Sequence, residues 1–203
     1  MINKSTDGGI SMIGIRLHGR GGQGAVVASK ILAKAYFSEG FYVQAFPSFG
    51  MERKGASVSA FVRVDTDRIV ERGEIRNPSI AIVLDPSLLQ MVDVTRGMAP
   101  GGLILLNFPN NNSTPLIKGP FRVACVDANT IALNFGLGSK MSPIINTVIL
   151  GAFVKLVDNL TINNLVEAIK HGVPVKSEEN ALAALAANEE VRWIRGEHDE
   201  SKK

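Results

Sequence analysis

At 203 residues, 45% hydrophobic and 20% charged, the chain is sized for one domain and apolar enough to bury a core, which excludes a disordered protein. Its 20 glycines and 9 prolines are ordinary for a globular chain and exclude a collagen-like or linker composition. A net charge of +3 is too small to argue for nucleic acid, and the single cysteine, Cys125, excludes both an internal disulfide and an iron–sulfur cluster held by this chain alone.

Residues 1–11 read as a flexible, polar lead-in without the apolar stretch of a signal peptide. Ile13 to His18 reads as a short strand that opens the fold. The glycine-rich turn after it leads into a helix whose Ala25, Val26, Ala28, Ile31, Leu32 and Ala35 fall at helical spacing. Gly40 suits its C-cap. Phe41 to Phe46 is a second strand, stopped by Pro47. Ser57 to Val64 alternates Ser57, Ser59 and Phe61 with Val58, Ala60 and Val62, the period of a strand. Arg68 to Val70 is expected to pair back on it after a turn at Asp65–Asp67. Ser79 to Leu84 and Leu103 to Leu106 are continuous apolar runs, as in strands buried on both faces. Phe121 to Val126 is a further strand. Ala128 to Phe135, Pro143 to Val157, Ile162 to His171 and Ser177 to Ala187 read as helices. The apolar run Ile144 to Val157 is too short and too polar to span a bilayer. The expectation is a cytoplasmic, three-layer α/β/α protein with a mixed, mostly parallel sheet, one domain over residues 12–187 and a charged, peripheral tail over 188–203. No membrane or nucleic-acid partner is expected.

Two segments carry chemistry. Gly19-Arg20-Gly21-Gly22-Gln23-Gly24 follows a strand and opens a helix, so backbone amides meet an anion at the positive end of the helix dipole. Gly19, Gly21 and Gly24 also satisfy the dinucleotide pattern, which keeps a free-standing, Rossmann-like nucleotide-binding oxidoreductase open as an alternative. That pattern wants an acid about twenty residues on, at the end of the second strand. Gln44-Ala45-Phe46-Pro47 stands there instead. The bland alternative is that the glycines only permit tight strand-to-helix packing. The second segment, residues 46–57, places Glu52, Arg53 and Lys54 between Gly50 and Gly55, with Phe46, Phe49 and Met51 around them. From Ile13 to Arg63 seven Lys/Arg stand against two acids. If the first two strands run the same way, Arg20, Arg53 and Lys54 converge at one sheet edge, suited to phosphates or a protein interface.

These residues resemble the gamma subunit of 2-oxoacid:ferredoxin oxidoreductases, which act on pyruvate, 2-oxoisovalerate, 2-oxoglutarate or indolepyruvate. The likeness rests on residues 19–30 and on Phe46-Pro47-Ser48-Phe49-Gly50-Met51-Glu52-Arg53-Lys54-Gly55-Ala56. It continues through Val83 to Pro86, Pro100 to Asn107, Val126 to Ala128, Asn146 to Ala152 and Ser177 to Asn180, about residues 12–185 in all. Lys54 departs from the family, which more often has a second arginine there. The resemblance implies a subunit that is inactive alone. Alpha, beta and delta-type companions would hold thiamine diphosphate with Mg and the iron–sulfur clusters, and pass electrons to ferredoxin. This chain would hold no cofactor by itself and no metal, and would have no catalytic residue. It would pack on the thiamine diphosphate subunits and help bind coenzyme A through Gly19, Arg20, Gly21, Gly22, Gln23, Gly24, Arg53 and Lys54. A scaffold with no ligand is a third reading. Whether the isolated chain forms a homodimer stays open.

Other residues have plainer readings. His18 reads as a strand-end histidine, Asp85 as the N-cap of a short helix begun by Pro86, and Cys125 as an inert core residue. Asn107 shares the ambiguity of Asp85, and Asn146 and Thr147, opening an apolar helix, need partners. His18, His171 and His198 are too scattered for a triad or a zinc site.

Overall fold

The computed structural model describes residues 12–48, 56–109 and 115–196. Strand β1 (Ile13–Arg20) shows how the sheet acquires two unlike faces. Ile13, Ile15 and Leu17 point to one side and are buried, whereas Arg16 and His18 point to the other. β3 (Ser57–Asp65) runs antiparallel beside β1, with Arg16 opposite Phe61 and His18 opposite Ser59. β2 (Tyr42–Pro47) pairs antiparallel with β3 on the outer side. On the other side of β1, β4 (Ile80–Val83), β5 (Leu103–Asn107) and β6 (Arg122–Val126) follow in parallel, and β9 (Arg192–Arg195) closes antiparallel on β6. The order is β2-β3-β1-β4-β5-β6-β9. The sheet is mixed, as expected, but three of its six neighbouring pairs are antiparallel, because the β2–β3 pair and the terminal strand add antiparallel edges.

Helices α1 (Ala25–Ser38), α2 (Ala128–Asn134), α3 (Val148–Lys155), α4 (Ile162–Gly172) and α5 (Ser177–Glu190) cover one face. Their apolar sides meet Ile15, Leu17, Val62, Ile82 and Leu105 in one continuous core. Burying each such side chain is worth roughly 1.5–3 kcal/mol. The other face has a thinner cover. A 3-10 helix at Pro86–Gln90 and the irregular segments after it seat Leu88, Val94 and Ile117 on Ala81, Val83, Ile104, Leu106 and Cys125. That second core does not extend to β1 and β3. No helix among the described residues is long and apolar enough to cross a membrane.

Three expectations are corrected. Arg68–Val70 forms no strand, because β3 already has β1 on one side and β2 on the other and offers no free edge. The helix expected from Pro143 begins at Val148, since Ser142–Pro143 (β8) pairs with Gly138–Ser139 (β7) in a small hairpin. The stretch expected to be a peripheral tail from Asn188 instead completes α5 and supplies β9, whose Ile194 packs on the second core.

Candidate functional site

β1 ends in Arg20 and α1 starts at Ala25, so four residues turn the chain from strand to helix. Gly22 (φ 96°) and Gly24 (φ 81°) sit in the left-handed region, where a side chain is strained. Gly24 caps α1, and the first amide bonded within the helix is that of Ala28, which donates to the Gly24 carbonyl at 2.8 Å. The amides of Ala25, Val26 and Val27 therefore point out of the helix end without an intrahelical acceptor. No acidic residue stands in that first turn. Gly19 lies tight against the helix, where a Cβ would come 3.3 Å from Ala25 Cβ. Gly22 instead faces open space. The packing role thus falls to Gly19, while Gly22 leaves the turn accessible.

Arg20 and Gln23 brace this turn. Gln23 Oε1 accepts from the Arg20 amide at 2.7 Å, while its Nε2 donates to Asp85 Oδ2 at 3.1 Å. Arg20 Nε donates to the same carboxylate at 2.9 Å, and its Nη2 donates to Ser87 Oγ. Asp85 also caps the 3-10 helix through the Ser87 amide, the role expected of it. Burial works to raise the Asp85 carboxyl, but donors from Ser87, Gln23 and Arg20 outweigh it and hold the group below the usual carboxylate range. Arg20 and Gln23 are therefore committed to organising the loop ends of β1 and β4.

β2 and β1 run in the same direction with β3 between them, so the chain leaves β2 at the edge where the glycine-rich turn lies. The Gly21 amide donates to the Ala56 carbonyl at 2.9 Å, and the Ser48 amide to the Ser59 carbonyl. Ser48 and Ala56, which flank the basic segment, are thus fixed beside the turn. Arg53 and Lys54 themselves lie outside the described residues. Asn107 ends β5 at the same edge, where its amide ties Leu84 to the start of α2. The partners required by Asn146 and Thr147 come from inside the fold. Thr147 Oγ1 donates to Asn180 Oδ1 at 2.6 Å, and Asn146 accepts from the Thr147 amide while its side chain abuts Gly24.

Sequence reading missed Arg16. It is 9% exposed and donates to His18 Nε2 at 3.0 Å and to the carbonyls of Val94 and Arg96. Burial, then the Arg16 charge, push His18 down to about 4, so its ring is neutral at pH 7. The alternation along residues 57–62 was the available signal, but it does not tell which residues of another strand stand opposite. Cys125 is a buried core thiol, pushed up to about 11 by burial.

A model of the pyruvate ferredoxin/flavodoxin oxidoreductase family matches residues 14–190. The chain belongs to that family. Within it, the chain is 49% identical over 184 residues to the pyruvate/ketoisovalerate oxidoreductases common subunit gamma of Thermococcus litoralis, covering 89% of this chain and 97% of the relative. It is 46% identical to the pyruvate synthase subunit PorC of Methanothermobacter thermautotrophicus, over 91% of this chain and 98% of that one. The crystal structure of pyruvate oxidoreductase subunit PORC from Thermotoga maritima superposes with a TM-score of 0.75 at 31% identity, covering 91% and 99% of the two chains. A 2-oxoglutarate:ferredoxin oxidoreductase from Magnetococcus marinus, solved with 2-oxoglutarate, coenzyme A and succinyl-CoA bound, shares the fold (TM-score 0.65, 22% identity, 88% of this chain and 30% of that one). The chain is a gamma subunit of a 2-oxoacid:ferredoxin oxidoreductase, and so a part of an enzyme complex.

Proposed function

We propose that this gamma subunit supports the coenzyme A-dependent oxidative decarboxylation of a 2-oxoacid. It packs on the subunits that hold thiamine diphosphate and helps bind coenzyme A at its glycine-rich edge. The observation that carries this reading is the 49% identity, across nearly the full length of both chains, to a gamma subunit common to pyruvate and ketoisovalerate oxidoreductases. A gamma subunit common to two substrates fits a chain without substrate-selecting chemistry of its own. Pyruvate and 2-oxoisovalerate are the substrates this relative suggests. The free-standing nucleotide-binding oxidoreductase finds no support among these relatives, which are named as subunits.

The site suits a phosphate-bearing ligand. Three outward amides at the start of α1 and the open side of Gly22 supply donors that need no side chain. With Arg20 engaged by Asp85, positive charge falls to Arg53 and Lys54, which follow Ser48 in the segment tethered beside the turn. One buried cysteine cannot ligate a cluster, so the clusters fall to alpha, beta and delta-type companions, to which the family resemblance also assigns thiamine diphosphate with Mg.

Steady-state kinetics of the assembled enzyme test this. Arg53→Ala should raise the apparent KM for coenzyme A about tenfold, the effect of losing one charge-assisted hydrogen bond. Lys54→Ala should act in the same direction and more weakly, as a lysine contributes a point charge without a fork. An unchanged KM in a complex that still assembles removes both residues from the role.

A further inference from the structure

The face of β1 and β3 that the second core leaves uncovered holds a cavity of about 410 Å³. Arg16 and His18 of β1 and Ser57, Ser59 and Phe61 of β3 line its sheet side. The segment from Met91 to Arg96 walls the other side, and Glu74 stands at the margin. It lies on the opposite side of β1 from α1.

Arg16 is the unusual group. A guanidinium buried to this degree is normally paired with an acid. Its hydrogen bonds go only to neutral acceptors, His18 Nε2 and the carbonyls of Val94 and Arg96. No carboxylate of the described residues lies within ion-pair distance of it. Asp93 and Glu74 act on it only from farther away. Both already accept bonds elsewhere, Asp93 from the amide and hydroxyl of Thr95 and Glu74 from the hydroxyl of Ser48. Because His18 Nε2 accepts from Arg16, the ring proton sits on Nδ1, a second donor. The hydroxyls of Ser57 and Ser59 are bonded to no described residue. The inner wall is thus rich in donors around a buried positive charge that no described carboxylate contacts, with Arg96 a second cation on the facing wall.

We propose that this cavity binds a carboxylate, held by Arg16, His18 Nδ1–H and the Ser57 and Ser59 hydroxyls, with a short aliphatic portion against Phe61 and Met91. A monoanion is favoured over a phosphate because the two cations of the lining, Arg16 and Arg96, already face two carboxylates, Glu74 and Asp93, which repel a second negative charge. Arg16 meets the carboxylate through Nη1, since Nε and Nη2 are taken by His18 and the Val94 and Arg96 carbonyls. The carboxylate is either that of a free small acid or an Asp or Glu side chain of a companion subunit. The proposal is independent of coenzyme A binding at the glycine-rich edge, so either reading can fail alone.

The test is a titration of the purified full chain, labelled with 15N in histidine and followed by NMR, with sodium acetate as the probe and inorganic phosphate in parallel. Acetate should shift the His18 ring resonances saturably, with phosphate binding more weakly. Ser59→Ala should weaken acetate binding about tenfold, the effect of one hydrogen bond to a charged group. Arg16→Gln should abolish it; because Arg16 also holds the 94–96 segment, Ser57→Ala with Ser59→Ala keeps the test decisive if that variant does not fold. A non-saturating shift, a titration unchanged by the serine variants, or phosphate binding the more tightly would overturn the proposal. Repeating the titration on the assembled complex identifies the source. Retained acetate binding points to a free acid, whereas loss of binding, with weaker assembly of Arg16→Gln, points to a companion's side chain.

Discussion

Two glycines only two residues apart, Gly22 and Gly24, show how finely the turn is specified. A Cβ at Gly24 would come 2.5 Å from Asn146 Nδ2, at a backbone φ of 81°. A Cβ at Gly22 would meet nothing within 4 Å, at φ 96°. Gly22→Ala therefore carries only backbone strain, roughly 1 kcal/mol, while Gly24→Ala adds a clash and should lose about 2–4 kcal/mol in urea unfolding. Asn146→Ala in the Gly24→Ala background should restore part of that loss, which it cannot do for Gly22→Ala. Asp85 gives a pH signature. A carboxyl held below its unfolded value, near ~3.9 for aspartate, contributes stability that is complete above that value and lost as pH falls through the folded one. Asp85→Asn should thus lower stability at pH 7, and the gap to the parent should close in acid, below about pH 4. A gap constant with pH would mean that Asp85 acts only by its shape. The glycine pattern was legible in the sequence because φ > 0 demands glycine locally. The pairing of Arg20 with Asp85, 65 residues apart, was not, since it depends on β1 and β4 being neighbours.

At the scale of elements, α3 and α5 pack more closely than ordinary side chains allow. An ideal Cβ on Gly151 would lie 1.8 Å from the Ala184 carbonyl oxygen, and Asn188 Nδ2 donates to the Gly151 carbonyl at 3.0 Å. Here the obstacle is backbone, which cannot rotate away. Gly151→Ala should destabilise by about 3 kcal/mol or more, measured by chemical denaturation, and should do so without changing the coenzyme A KM of complexes that still form. Val148 to Lys155 was legible as a helix from its apolar run, and β4 and β5 from runs of the same kind in strand-length pieces. What escaped was set by pairing rather than by pattern. β9 reads as charged because Arg192 and Arg195 flank Trp193-Ile194, yet an open edge on β6 accepts it. The segment at Arg68–Val70 has strand-like residues and no edge to join. The chemistry of Arg16 escaped for the same reason, since its surroundings come from β3 and the 91–96 segment.

Across the whole molecule the two faces of the sheet differ in depth, and stability should follow that difference. β4 and β5 have apolar residues on both sides and a parallel neighbour on each edge, and β1 has its helix-facing residues in the main core. β9 is a terminal edge strand of four residues whose pairing with β6 is irregular between Val123 and Ala124. The β7–β8 hairpin is a separate two-stranded sheet, and Met141 at its tip is 95% exposed. Few buried contacts and exposed backbone bonds allow local opening well below the global unfolding free energy. Native-state hydrogen exchange of the full chain should therefore show the amides of β1, β4 and β5 exchanging together and slowest, through global unfolding. Those of β9 and the hairpin should exchange at least about tenfold faster, a gap of about 1.4 kcal/mol or more in opening free energy. If β9 is as protected as β5, the edge strand is part of the cooperative core, and removing residues from 191 onward should unfold the chain rather than fray it. In the assembled complex, protection gained at the hairpin but not at β9 would locate the companion subunits on the side of Met141.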